Sequence, residues 1–407
     1  MVVVDKLLIV DDKFEKWLIS HNKRSISWKN WMISTQYRSI SDFCSKWVIK
    51  ESVIFTKWTK RAALFQRKSP RKGEFLTKKK GLMQLIVKEC KVSLRIQKYE
   101  ALERRIVVNH PIRPILADEY HNWMAGYKGE KSLEYHLSML PEEKYLIFHN
   151  IRLLLGKYYF QMDYLLLCAA FGLVLEVKNR KGTYLFEKYL NQVSLKTTEK
   201  DERIKNPVLQ AKLQATKLKK WLTKHNFPAF PIHYLFVNSN NRAIIRTDPG
   251  NEEILRNICN SESLVEKITH IESFEKKEMV DTKTLRKMKR LILSSDTPET
   301  FDILKHFLLS LHDILTGVQC PDCGFLSMNY KYGIWSCPNC QCHSKTAHIQ
   351  AIRDYFLLIK PSITNSELRE FLHIDSPRVA NKILRQLNLP SEGTFKGRIY
   401  FPKAEWL

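Results

Sequence analysis

The sequence predicts an α/β protein: a mixed-sheet core followed by two small C-terminal modules. Three observations predict it. Between residues 117 and 250, short runs rich in Leu, Ile, Tyr and Phe are framed by two helical stretches. Paired Cys-x-x-Cys knuckles follow at Cys320-Cys323 and Cys337-Cys340. Beyond them, two capped helices and a glycine-bracketed hairpin close the chain.

The composition narrows the function classes. At 407 residues the chain is long enough for two or three domains, and 44% hydrophobic residues exclude global disorder. No run of about 18 apolar residues occurs, which excludes a membrane-spanning helix; the longest apolar run, Tyr164 to Leu175, reads as buried strands. Asp5, Lys6, Asp11 and Asp12 break the apolar start, so it is no secretory signal, and a cytoplasmic location is expected. The 67 Lys+Arg against 42 Asp+Glu leave a charge of +25, which points to a polyanionic partner, nucleic acid above all; with no apolar span, no membrane partner is expected.

Residues 1–82 differ from the rest. They hold five of the nine tryptophans and 19 Lys+Arg against 7 Asp+Glu, with no sustained helical or strand period. They read as a basic N-terminal extension, with an over-extended gene start ahead of Met83 as the sharper expectation. Residues 83–116 form a leader with a short helix, then a loop broken by Pro111 and Pro114. The core is expected over 117–250. It holds a helix from Ala117 to Leu137, with Gly126 and Gly129 as weak points. Strands follow at Tyr145–Leu154, Tyr158–Leu167 and Leu173–Asn179. Asn206-Pro207 opens a helix to about His225, and strands at Ile232–Val237 and Ala243–Arg246 end the unit. Residues 251–315 read as a helical connector, 316–345 as the cysteine module and 346–407 as the tail domain.

The chemical centre is Gln161-Met162-Asp163 followed by Glu176-Val177-Lys178-Asn179. A hairpin turning between Ala169 and Ala170 puts Asp163 across from Glu176, with Cβ atoms about 5 Å apart. Lys178, two residues on, projects to the same face as Glu176. Two carboxylates this close repel unless a cation sits between them, and Mg²⁺ (or Mn²⁺) suits hard oxygen ligands and phosphate. The lysine can then stabilise developing negative charge. The plainer alternative is a surface cluster in which Lys178 simply pairs with a carboxylate.

From about Lys128 to Asn238 the chain resembles the nuclease-related domain (NERD) family, related to the PD-(D/E)xK nucleases. Gly129-Glu130, Gln161-Met162-Asp163, Glu176-Val177-Lys178-Asn179 and Asn206-Pro207-Val208-Leu209-Gln210 carry the resemblance. It implies a restriction-endonuclease-like mixed sheet and Mg²⁺-dependent hydrolysis of phosphodiester bonds in DNA, with RNA as an alternative substrate. It makes Asp163 and Glu176 the metal ligands and Lys178 the catalytic lysine. Glu130 becomes a further acid on a helix, and Gln210 a positioning residue in the catalytic set. Met162 stands where the superfamily usually has Pro. The competing class is a non-catalytic DNA-binding or regulatory protein that keeps the core as scaffold. His149 and His136 stand isolated in sequence and read as ordinary histidines.

The knuckles Cys320-Pro-Asp-Cys323 and Cys337-Pro-Asn-Cys340, 13 residues apart, offer four thiolates to a tetrahedral Zn²⁺. Such a closed set is structural, as in a zinc ribbon; Cys342 and His343 are spare. In the tail, Thr364 and Glu367 form a capping box and Ser376-Pro377 starts a second helix. Two helices and a basic hairpin resemble a winged helix-turn-helix, which would turn Arg378, Asn381, Lys382 and Arg385 toward DNA.

Overall fold

A computed structural model describes residues 86–406, omitting the side chain of Lys396. The basic extension 1–82, with its expected gene-start reading, lies outside the described residues. The chain runs β1 (Ile86–Lys88), α1 (Leu94–Arg105), α2 (Arg113–Leu137), β2 (Leu146–Leu155), β3 (Tyr158–Leu167), β4 (Gly172–Lys178), β5 (Gly182–Phe186), β6 (Val193–Lys196), β7 (Asp201–Ile204), α3 (Pro207–Lys224), β8 (Ile232–Asn238) and β9 (Ala243–Thr247). Then come α4 (Glu252–Arg256), β10 (Ile258–Asn260), α5 (Leu264–Phe274), α6 (Thr282–Ser295) and α7 (Ile303–His306). The C-terminal part adds β11 (Asn329–Lys331), β12 (Ile334–Ser336), β13 (His343–Ser344), α8 (Ala347–Leu358), β14 (Ile363–Thr364), α9 (Asn365–Leu372), α10 (Pro377–Leu387), β15 (Ser391–Glu392) and β16 (Ile399–Tyr400).

The central sheet has the order β1-β2-β3-β4-β8-β10. The β2-β3-β4 meander is antiparallel, while β4, β8 and β10 run parallel, so the sheet is mixed as expected. The inner ends of β2 and β3, Leu146–Phe148 and Tyr164–Leu167, are apolar on both faces because helices cover both. On one face α3 and α6 bury Leu218, Trp221, Leu285 and Met288 against Phe148, Met162 and Val174. On the other, α2 and α5 bury Leu133, Leu137, Leu264 and Ile268 against Ile147, Leu166, Leu175 and Val237. Ile258–Asn260, inside the stretch expected to be a helical connector, supplies the sixth strand of this sheet.

A second sheet, β7-β6-β5-β9, packs Tyr184, Phe186 and Leu195 against Val208 and Phe236. The sequence reading anticipated only β9 here. The strands at 182–204 are short and interrupted by charge, which hid their period. Helix α2 starts four residues earlier than expected, with Pro114 tolerated in its first turn. It passes unbroken through Gly126 and Gly129.

The C-terminal modules share one core: Val318 and Trp335 from the cysteine module pack with Ile352, Tyr355, Leu368 and Leu384. A buried ion pair ties this unit to the leader. Arg105 and Asp354 are 1% and 0% exposed, their atoms 2.9 Å apart, and Arg105 also donates to the Gly317 carbonyl. Charges so deep are tolerated only when paired and hydrogen-bonded.

Candidate active site

The register expected for the β3-β4 hairpin is the one observed: Tyr164 pairs with Leu175 and Leu167 with Gly172. Asp163 is the next residue outward, and there the strands depart from regular alternation. Phe160, Met162, Leu165 and Leu167 all face the α3–α6 side, while Tyr164 and Leu166 face the other. The alternation therefore skips a beat at Asp163. Its neighbour β2 does the same at Asn150, which sits in the left-handed region (φ +51°) between Phe148 and Ile151. Freed from both faces, the half-buried Asp163 carboxylate accepts a hydrogen bond from the Val177 backbone N–H at 2.8 Å. It thus docks on β4 between Glu176 and Lys178.

Glu176 is buried, and Lys178 donates to its Oε1. Burial and the charges of Glu176 and Glu130 hold the Asp163 carboxyl well above the usual carboxylate range. Burial pulls Lys178 down, but Glu176 and Asp163 outweigh it and keep the ammonium above its ordinary value. The pocket thus concentrates negative charge that one lysine only partly offsets.

Glu130 comes from α2, which Gly129 brings close. A Cβ on Gly129 would strike Asn179 and come within 2.7 Å of Ser239 Oγ. Asn179 braces this approach: its side chain donates to the Ala125 carbonyl of α2 and accepts from Asn240. Glu130 acts electrostatically on Asp163, yet its own carboxylate bonds His149 Nε2 at 2.6 Å. The same Nε2 lies 3.4 Å from Cys90 Sγ. Burial pushes the Cys90 thiol up to about 12, and the nearby Lys131 offsets this only in part. Among the described residues, sets of three or more candidate metal-ligand atoms within 4.8 Å of one another are Cys90–Glu130–His149 and Cys320–Cys323–Cys337–Cys340. Asp163, Glu176 and Glu130 do not form such a set.

Gln210 shares none of these hydrogen bonds among the described residues. It lines a depression of about 470 Å³ at the start of α3 with Arg203, Lys205, Asn206 and Leu209. No hydrogen bond joins it to Asp163, Glu176 or Lys178 among the described residues. One turn on, Gln214 buries its Oε1 without a hydrogen-bond partner among them. The sequence reading gave Cys90 no role and took His149 for an ordinary histidine, since only the fold unites them with Glu130, and the motif around Asn179 gave no hint that it braces two elements.

The family model described as the nuclease-related domain matches residues 125–239. This segment is a nuclease-related domain. No curated protein and no solved structure matches the chain. The domain match begins in α2, just before Glu130, and ends just after β8, so it takes in the whole Asp163–Glu176–Lys178 cluster.

The second candidate centre is the cysteine module. Cys320 and Cys340 lie 3.6 Å apart through sulfur, as do Cys323 and Cys337. The Gly324 amide donates to the Cys320 carbonyl, and the Gln341 amide to that of Cys337, so each pair sits on a tight turn. Four sulfurs in one group, two buried and two exposed, fit a tetrahedral thiolate site. This supports a zinc ribbon. Cys342 stays outside the group.

In the tail, α9 and α10 are joined through residues 373–376, and the Thr364–Glu367 capping box forms as expected. Arg378, Asn381, Lys382 and Arg385 are all exposed on α10; Asn381 also accepts from Asn365. No helix among the described residues is long and apolar enough to cross a membrane.

Proposed function

We propose that the nuclease-related domain is a Mg²⁺-dependent nuclease (Mn²⁺ being a close substitute) that hydrolyses phosphodiester bonds in DNA. The observation that carries this reading is the meeting of Asp163, Glu176 and Lys178 at one point of the sheet, with Glu130 in electrostatic range. Unbalanced carboxylate charge suits a hard divalent cation, and Asp163 and Glu176 are the oxygen donors that would hold it. Such a cation, when bound, polarises the phosphate and acidifies an attacking water. Asp163, fixed by the Val177 amide, orients that end of the site. Lys178, held ammonium by its two acids, neutralises charge that builds on the phosphate oxygens. Glu130 adds negative potential from α2. Gln210 positions the substrate strand from the start of α3.

The distribution of charge supports a nucleic-acid substrate. Helices α3 and α6 cover one face of the sheet and carry five basic residues each and no acid. On the other face, the acids of α2 and α5 outnumber their lysines and arginines. A polyanion is drawn to the first face. In the same reading the Cys₄ site holds a structural Zn²⁺, and α10 presents Arg378, Asn381, Lys382 and Arg385 to DNA as a winged helix-turn-helix. The protein works in the cytoplasm.

Incubation of the purified full chain with plasmid DNA tests the proposal. Wild type should nick or cut with Mg²⁺ and stop on its removal. Glu176→Gln and Lys178→Ala should each lose at least about 100-fold. Equal binding by all three without cutting would leave a DNA-binding scaffold.

A further inference from the structure

The geometry points to a second protein-borne metal site, formed by Cys90 Sγ, His149 Nε2 and Glu130 Oε2, for a borderline divalent cation of the zinc class. The three residues come from separate elements: the segment after β1, the middle of β2, and α2. Their ligand atoms lie within 4.8 Å of one another, with Cys90 and His149 buried.

Hydrogen bonding alone crowds this cluster onto one nitrogen. Nε2 faces both Sγ at 3.4 Å and Oε2 at 2.6 Å. One ring nitrogen carries at most one proton, so the carboxylate and the sulfur, a weak acceptor, must share a single donated N–H. A cation at the centre satisfies all three atoms together. Zinc–ligand lengths of about 2.3 Å to sulfur and about 2.1 Å to nitrogen give a tetrahedral S–N edge of about 3.6 Å. The observed 3.4 Å lies within about 0.2 Å of that edge. The N–O edge needs about 3.4 Å, so Glu130 must draw back by about 0.8 Å from His149. That side chain is 25% exposed and has room to do so.

The surroundings hold the ligands as outer partners of a metal site do. The Cys90 amide donates to Glu134, one turn beyond Glu130, and the Cys90 carbonyl accepts from Lys131. The His149 ring packs edge-on against Tyr164, whose hydroxyl donates to the Glu130 carbonyl. Thiolate and imidazole favour a zinc-class ion over Mg²⁺. The fourth position is left to water.

Zinc counting on the full chain, loaded with Zn²⁺ under reducing conditions and washed of loose metal, tests the site. Wild type should hold two equivalents, and Cys90→Ser and His149→Gln one each. Cys337→Ser should lose the other equivalent. Loading with Co²⁺ adds a spectral check: the wild-type minus Cys90→Ser difference should carry a thiolate-to-cobalt charge-transfer band. One equivalent in wild type, lost only in Cys337→Ser, would overturn the site. So would a second equivalent that survives both Cys90→Ser and His149→Gln. Should Cys90→Ser fail to fold, the count on His149→Gln decides. Neither count reads DNA cleavage, so the nuclease proposal stands or falls separately.

Discussion

Asp163 is held at a cost. Its carboxyl has a raised folded-state pKa from burial and from Glu176 and Glu130. The sign follows: the folded form holds its proton more tightly than the unfolded chain, so stability falls as pH climbs from the ordinary carboxyl range to the raised one and stays lowered above it. Asp163→Asn keeps an oxygen for the Val177 amide and removes the charge. Without Mg²⁺ it should therefore raise the melting temperature at pH 7 to 8, and the gain should vanish at acid pH, where both proteins are neutral there. Thermal scans across pH in zinc-replete buffer check this; a variant that melts lower at pH 8 would contradict it. Gly129 is the other residue on which the geometry depends. Gly129→Ala should destabilise by about 1–3 kcal/mol, measured by denaturant unfolding, because its Cβ meets Asn179. At this scale the sequence disclosed the motif and its register, since the hairpin turn fixes which residues oppose. It did not disclose the skipped alternation at Asp163. That depends on Asn150 of the neighbouring strand adopting positive φ, and no pattern within β3 reports it.

Among elements, long strongly patterned ones were legible and short ones were not. β3 and α3 ran nearly as expected because apolar period and the Asn206-Pro207 start agree; Asn206 Oδ1 accepts from the amides of Val208 and Leu209. Strands β5, β6 and β7 were missed because runs of four or five residues, lying among charged turns, are too short to carry a readable period. The Cys₄ module was legible because its ligand spacing is local, whereas Cys90, Glu130 and His149 meet only through three elements. The link between α1 and α8 was invisible for the same reason, as 249 positions separate Arg105 from Asp354. Arg105→Ala should cost about 3 kcal/mol, because it strips a partner from a fully buried carboxylate that Arg104 still partly pairs. Urea unfolding checks this; a loss under about 1 kcal/mol would mean the pair is dispensable.

For the whole molecule, the charge of +25 is not spread evenly. Part of it lies on α3 and α6, above the sheet face that Glu176 and Lys178 share with Val174. Replacing the exposed Lys219, Lys220, Lys287 and Arg290 by Glu should weaken DNA binding at low salt. It should also flatten the dependence of log affinity on log salt by about one per lost phosphate contact. Unchanged slopes would assign DNA binding to the tail alone. Everything enzymatic returns to whether Asp163 and Glu176 hold a hard cation. The most direct measurement is anomalous diffraction from a crystal soaked in Mn²⁺. The expected result is a manganese peak touching carboxylate oxygens of both Asp163 and Glu176. A map with no peak there, or with manganese only at Cys90 and His149, would contradict the nuclease mechanism.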